Sequence, residues 1–208
     1  EGHRSNIVVN GLSSARGNGL TIRRNVIAYS IHHEADRFTQ GIYVQNTDGI
    51  LIEENYLHHN GWREGDHRDP LAHNVYLSKS NSPAIVRRNI STHAANTGLM
   101  IRCGGDVSEN IVAYCPAGIV AGTAKSDRYS YEVPVHVRDN AVLHGMNFGS
   151  TVEQWGISTI NLGTSEITGN IIAHSETGDG YGISLDSDDV FRDVNVSNNA
   201  IFNHGRGV

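Results

Sequence analysis

Three side chains carry the clearest hint of chemistry. His73 and Tyr76 lie in the run His73-Asn74-Val75-Tyr76-Leu77-Ser78-Lys79, and Arg102 ends the run Gly98-Leu99-Met100-Ile101-Arg102. A guanidinium keeps its charge at any ordinary pH, and its planar fork matches a carboxylate. Imidazole and phenol are side chains that give and take protons. Together these types suit β-elimination on a uronate-containing glycan. That reaction needs a cation or donor to neutralise the carboxylate, a base for the C5 proton and an acid for the leaving oxygen. Arg102 fits the first role, His73 the base and Tyr76 the acid, or the last two exchange. Lys79 and His67 stand in reserve. The plain alternative is that His73 and Arg102 are ordinary surface residues.

Candidates for holding the sugar chain lie around them: Tyr43, Gln45, Trp62, Arg63, His67, Lys79 and Trp155. Aromatic faces stack on sugar rings, and Arg or Lys pairs with uronate carboxylates. The stretch from His58 to Ala72 is long, polar and glycine-containing, and carries Trp62, Arg63 and His67. A long loop on a rigid scaffold is where binding usually sits. A second extended loop runs from Thr123 to Pro134. Glycoside hydrolysis would instead need two carboxyl groups across the scissile bond. The candidates are Glu64, Asp66 and Asp69, or Asp186, Asp188 and Asp189, and neither set pairs convincingly beside the Tyr/His/Arg patch. Hydrolysis therefore ranks second.

What positions these residues is a repeat. Seven segments share a pattern of one apolar residue, two mostly polar residues, an Asn and usually two apolar residues, with Asn25, Asn55, Asn89, Asn110, Asn140, Asn170 and Asn199 as the fixed points. Successive spacings are 30, 34, 21, 30, 30 and 29 residues. Repeats of this length mark a stacked array, and the β-branched runs bounded by Gly, Asn, Asp and Ser mark strands. A second set of strands begins at Gly41, Asn74, Gly98, Gly118, Gly156 and Gly182. The expected fold is all-β: a right-handed parallel β-helix, or solenoid, of about seven coils. The Asn column is expected to form an internal amide ladder, with Asn itself taking the left-handed corner conformation. Four residues after each Asn stand Tyr29, His59, His93, Tyr114, His144, His174 and Asn203. That column reads as a stack on a turn, and not as metal ligands.

Alternation along the second strand set sends Ile42, Val75, Leu99, Ile119, Ile157 and Ile183 inward. Tyr43, Tyr76, Met100, Val120, Ser158 and Ser184 then face out, as do Gln45, Ser78, Arg102, Gly122, Ile160 and Asp186. Gln40, His73, Thr97, Ala117, Trp155 and Tyr181 form one more outward column. The early coils present Tyr, His and Arg, and the middle coils present small residues, which reads as a groove with a shallow floor. Arg23, Arg24, Arg87 and Arg88 occupy the outward pair before the Asn and read as solvated decoration.

The 208 residues fit a single domain, 1–208. The net charge of −6 argues against a general nucleic-acid binder, and no run is long and apolar enough for a membrane span. Cys103 and Cys115 have no CxxC partner, so buried thiols are expected and a zinc site is not. Neither end shows a cap. The chain therefore reads as a piece of a longer protein, or as one whose ends are covered by missing segments or a partner chain.

The stacked Asn coils and Gly-Ile-x-Val strands resemble the right-handed parallel β-helix proteins that act on carbohydrates, among them polysaccharide lyases and mannuronan C5-epimerases. The stretch from His73 to Lys79, followed by Gly98 to Arg102, is similar to a segment of the epimerases and alginate lyases. The Asp-Pro-His-Asp motif of those epimerases is replaced here by Asp69-Pro70-Leu71-Ala72-His73, so their catalytic set is not carried over. The resemblance implies a polysaccharide substrate and a secreted, cell-surface or periplasmic setting. Calcium-dependent lyases use acidic clusters on the equivalent face. This face lacks one, so no cofactor is required and Ca²⁺ is unsupported. A glycan-binding or structural shaft, such as an adhesin stalk or tail fibre, is the non-enzymatic expectation.

Overall fold

The computed structural model describes residues 5–32, 39–63, 71–123, 133–146, 155–160, 163–175, 180–186 and 193–203. Among them there are strands and no helices. The strands form three seven-stranded sheets and two short two-stranded pairs. The chain visits the three large sheets in the same order, again and again. Sheet I holds Ser5–Asn10, Gln40–Gln45, His73–Leu77, Thr97–Ile101, Ala117–Gly122, Trp155–Ile160 and Tyr181–Asp186. Sheet II starts with Thr21–Arg23 and ends with Val194–Ser197, and sheet III starts with Val26–Ala28 and ends with Ala200–Phe202. Neighbouring strands in each large sheet are parallel. Each strand pairs with its counterpart one repeat away, so the architecture is a stack of rungs.

The Asn segment is not one strand. It breaks at the corner between sheets II and III, and the residue that turns it is the one before the Asn. Arg24, Glu54, Arg88, Glu109, Asp139 and Asn198 have φ between 54° and 58°, and Gly169 has φ 70°. The expectation that Asn itself takes the left-handed conformation is thus corrected by one position. The Asn keeps its side chain for the interior. Asn55 Nδ2 donates to Asn89 Oδ1, Asn89 to Asn110, and Asn110 to Asn140, each at 3.0 Å. Each oxygen also accepts the backbone N–H of the preceding Asn, as Asn110 Oδ1 does from Asn89 at 2.9 Å. The second amide hydrogen reaches a carbonyl one rung back, as from Asn110 Nδ2 to Val86 O at 3.0 Å. A buried amide with every site paired adds about 1 kcal/mol per bond, and one left unpaired costs about 1–3 kcal/mol.

Apolar columns fill the centre. Ile52, Val86, Val107, Val137 and Ile167 from sheet II meet Leu57, Val112 and Ile172 from sheet III and Ile42, Val75, Leu99, Ile119 and Ile157 from sheet I. Burying each such side chain stabilises by roughly 1.5–3 kcal/mol. The glycines that open the sheet I strands are set by close approach. A Cβ on Gly98 would stand 2.4 Å from Val112 Cγ1, and one on Gly118 would stand 2.3 Å from Val142 Cγ1. Where the repeat has Asn74 in that place, its amide joins a second, shorter ladder, accepting from Asn60 Nδ2 at 2.8 Å and donating to Ser91 Oγ at 2.9 Å.

Both cysteines are buried and free. Burial pushes the Cys103 thiol up to about 12, so it is a packing group and not a nucleophile.

Candidate functional site on the outer wall of sheet I

Register places the candidate residues on one wall. His73 pairs with Gln40 and Thr97, and Tyr76 pairs with Tyr43 and Met100. Arg102 follows directly on the strand Thr97–Ile101, and its backbone N–H donates to Leu77 O at 2.9 Å. The Tyr43 and Tyr76 rings stack with centroids 5.7 Å apart, and the His73 and Tyr76 rings stack at 5.5 Å. Imidazole, two phenols and a guanidinium therefore occupy three neighbouring rungs of one face.

Their exposure divides them. Tyr43, Gln45, Tyr76, Ser78 and Arg102 are half-buried and Lys79 is exposed. His73 is 3% exposed, which overturns the expectation of a surface base. Its Nδ1 has no hydrogen-bond partner among the described residues. Burial, and then the charge of Arg102, push the imidazole down to about 3. His73 is therefore neutral at any physiological pH. Its strand is pinned by Gln40, whose Oε1 accepts the His73 backbone N–H at 2.7 Å and whose Nε2 donates to Leu71 O at 2.9 Å.

Tyr43 donates its hydroxyl to Gln45 Oε1 at 2.7 Å. Burial and then the Tyr76 phenol push its own ionisation up, so it stays protonated. Arg102 reaches across one rung to donate to Gly122 O at 3.4 Å. The small-residue floor is not open. Met100, Ala117 and Val120 are buried as a second apolar cluster with Tyr76 and Ile160 packed against it, and Ser158 is buried beside them. Among the described residues the exposed part of the wall includes the tyrosine and arginine rungs and the first rung, where Val8, paired with Tyr43, is 51% exposed.

Other candidates fall elsewhere. Trp62 donates its indole N–H to His93 O at 2.7 Å and its ring leans on His59, so it belongs to the turn after sheet III. Trp155 lies in the His73 column through its pairing with Ala117 and Tyr181, and Arg63 pairs with His32 at the strand level. Their side chains lie outside the described residues, as does the whole of His67. Glu64, Asp66, Asp69, Asp188 and Asp189 also lie outside them. Asp186 pairs with Ile160 at the far end of the sheet.

One arrangement went unseen in the sequence. The outward Arg pairs do not simply decorate the surface. Glu53, only 3% exposed, receives Arg23 at 3.0 Å, Arg87 at 2.9 Å and Arg88 at 2.7 Å. Arg24 and then Arg23 hold the Glu54 carboxyl below the usual range. The residues four after each Asn do form a stack: Tyr29, His59, His93, Tyr114, His144 and His174 follow one another with centroids 4.6–5.4 Å apart. Each of these six has φ between 50° and 63°, so they mark a second left-handed corner. Among the described residues no three His, Cys, Asp or Glu side chains gather as metal ligands.

Compared with known proteins, the chain matches no family model, no curated protein and no solved structure.

Proposed function

We propose that the chain is a right-handed parallel β-helix of about seven coils and a polysaccharide lyase, cleaving an acidic, uronate-containing polymer on the outer wall of sheet I. Right-handed winding is the general preference for parallel crossovers. The observation that carries the activity is the convergence of Tyr76, Tyr43, His73 and Arg102 on three neighbouring rungs, next to a wall otherwise closed over apolar and small residues.

Arg102 is the partner for the uronate carboxylate. Pairing that charge makes the C5 proton easier to remove and stabilises the carbanion that follows. Tyr76 is the proton-transfer group nearest the surface. Tyr43 holds its orientation by stacking, and Gln45 ties down the Tyr43 hydroxyl. His73 sits behind Tyr76 as a neutral imidazole stacked on its ring, and does not meet the sugar. Tyr76 Oη takes the C5 proton, the C4–O4 bond breaks, and the same proton is handed on to O4, so the enzyme gains and loses no net proton. The product is an unsaturated sugar at the new non-reducing end. These steps require no cofactor. The setting that goes with such a substrate is secreted, cell-surface or periplasmic.

The test is incubation with alginate, pectate and glycosaminoglycans across a range of pH, with and without Ca²⁺, while the ultraviolet absorbance of the unsaturated product is followed. Product from at least one uronate polymer, lost in Tyr76→Phe and Arg102→Ala, is expected. No product from any of them removes the lyase reading. Glycan binding that survives both substitutions would favour a non-catalytic shaft.

A further inference from the structure

The corner after sheet III interrupts strand alternation once in every rung. Along a strand, neighbouring side chains point to opposite faces. At this corner the second residue of each pair is left-handed, with φ 52° at His59, so two neighbours can turn to the same side. The seven pairs are Ala28-Tyr29, His58-His59, Thr92-His93, Ala113-Tyr114, Leu143-His144, Ala173-His174 and Phe202-Asn203. Among them only the second supplies two imidazoles. Their Nδ1 atoms face each other at 3.2 Å, with the ring planes 88° apart.

We propose that the Nδ1 atoms of His58 and His59 form a two-nitrogen binding edge for a borderline transition-metal dication of the Zn²⁺ type, with solvent in the remaining coordination positions. Three observations carry this. The first is spacing. Zn–N bonds of about 2.0–2.1 Å set two nitrogens about 2.9 Å apart at a right angle and about 3.4 Å apart at the tetrahedral angle. The observed 3.2 Å lies between these limits. The second is rigidity. The His58 ring is stacked on Tyr56 at 4.7 Å and edge-on to Tyr29 at 4.9 Å. The His59 ring lies between Tyr29 at 5.4 Å and His93 at 4.6 Å, and leans on Trp62. Trp62 is itself tied to the His93 carbonyl at 2.7 Å. Rings held on both faces lose little freedom when they bind, and supporting contacts of this kind orient ligating imidazoles. The third is protonation. Burial, and then the neighbouring His59, push His58 down from its ordinary value, and the neutral imidazole is the form that ligates.

The bare contact is a hydrogen bond in which one Nδ1–H donates to the other Nδ1. For both nitrogens to meet an ion, that hydrogen moves to Nε2 of its own ring. Imidazole nitrogen suits Zn²⁺, whereas Ca²⁺ and Mg²⁺ take oxygen ligands. Two protein ligands are fewer than the four of a structural zinc site, so the ion exchanges and keeps open positions. The proposal does not rest on the lyase reading, since it uses a different part of the rung.

The experiment is titration of Zn²⁺ into the chain at pH 7 in a non-chelating buffer, followed by calorimetry and by NMR of the histidine ring signals, with Ca²⁺ as the hard-ion control. The variants are His58→Thr, His59→Asn and His144→Asn. Thr92 stands in register with His58 one rung on, and Asn203 holds the column position of His59 and His144 in the last rung. The repeat itself therefore accepts these residues, and Asn tolerates the left-handed corner. In wild type, saturable Zn²⁺ binding should shift the His58 and His59 signals ahead of those of His144 and His174, and Ca²⁺ should move neither. His58→Thr and His59→Asn should each weaken binding at least roughly tenfold, and His144→Asn should bind as wild type does. Absence of saturable Zn²⁺ binding, or binding that leaves the His58 and His59 signals in place, overturns the proposal and reduces the contact to a hydrogen bond. An equal response to Ca²⁺, wild-type binding by both His58→Thr and His59→Asn, or equal loss in His144→Asn overturns it as well. The ring signals are read on the unaltered chain, so the test stands even where a variant fails to fold.

Discussion

Sheets I and III turn outward residues to the surface at the same strand spacing, yet Val120 at an outward position of one is 1% exposed and Ile111 at an outward position of the other is 44% exposed. On sheet I the closed wall hides an imidazole whose Nδ1 has no partner among the described residues. On sheet III the open wall displays aliphatic side chains in register. The difference teaches that alternation decides which face a residue takes, and that occupancy across the face decides its environment.

The sharpest way to break this contrast is one substitution on each wall. Val120→Asp places an unpaired carboxylate in a buried cluster and should cost about 3–5 kcal/mol, read from urea unfolding. Ile111→Asp, equally outward by register, should stay within about 0.5 kcal/mol. Equal costs would mean that the two walls are alike.

Next in size is the acid response of His73. Its folded value of about 3 lies below the ordinary 6.5, so through that window the unfolded chain holds a proton that the folded chain does not. Its contribution to stability is complete above pH 6.5 and is lost as pH falls toward 3, with a total on the order of 5 kcal/mol. Urea midpoints measured from pH 7 to 4 should fall steeply for wild type and less steeply for His73→Gln. Identical slopes would show that His73 is not sealed in the wall.

The ladder inside gives a smaller effect. Asn110→Ala strips partners from Asn89 and Asn140 and from the Val86 carbonyl, and should destabilise by about 2–3 kcal/mol. Asn25 stands at the first rung of this ladder with an exposed side, and Asn25→Ala should cost about 1 kcal/mol. If the end rung were as costly as the middle one, coupling along the ladder would be far stronger than pairwise bonds allow.

Much of the scaffold was legible because the repeat encodes it. The Asn spacing gave the rungs, and strand alternation gave the outward columns of Tyr76 and Arg102, whereas His73, three residues from Tyr76, reaches the same face against strict alternation, as the stacking of the two rings shows. What escaped depended on contacts between rungs. The left-handed residue precedes the Asn, and its identities (Arg, Glu, Asp, Asn and Gly) hide the pattern that a glycine column would reveal. Glu53 is buried by arginines from the rungs on either side, which no single segment discloses. The loop that carries Trp62 gave no sign that its indole N–H reaches the carbonyl of His93 in the ring stack. The closing of the sheet I floor left no periodic trace, since Ala117, Val120 and Ser158 read the same whether covered or open.

The most direct measurement of the functional account is calorimetric titration of short uronate oligosaccharides into wild type, Arg102→Ala and Ile111→Asp. Binding should weaken at least roughly tenfold in Arg102→Ala, where the carboxylate loses a charge-assisted partner, and should be unchanged in Ile111→Asp. Wild-type binding by Arg102→Ala, or loss of binding only in Ile111→Asp, would contradict the assignment of the acidic glycan to the outer wall of sheet I.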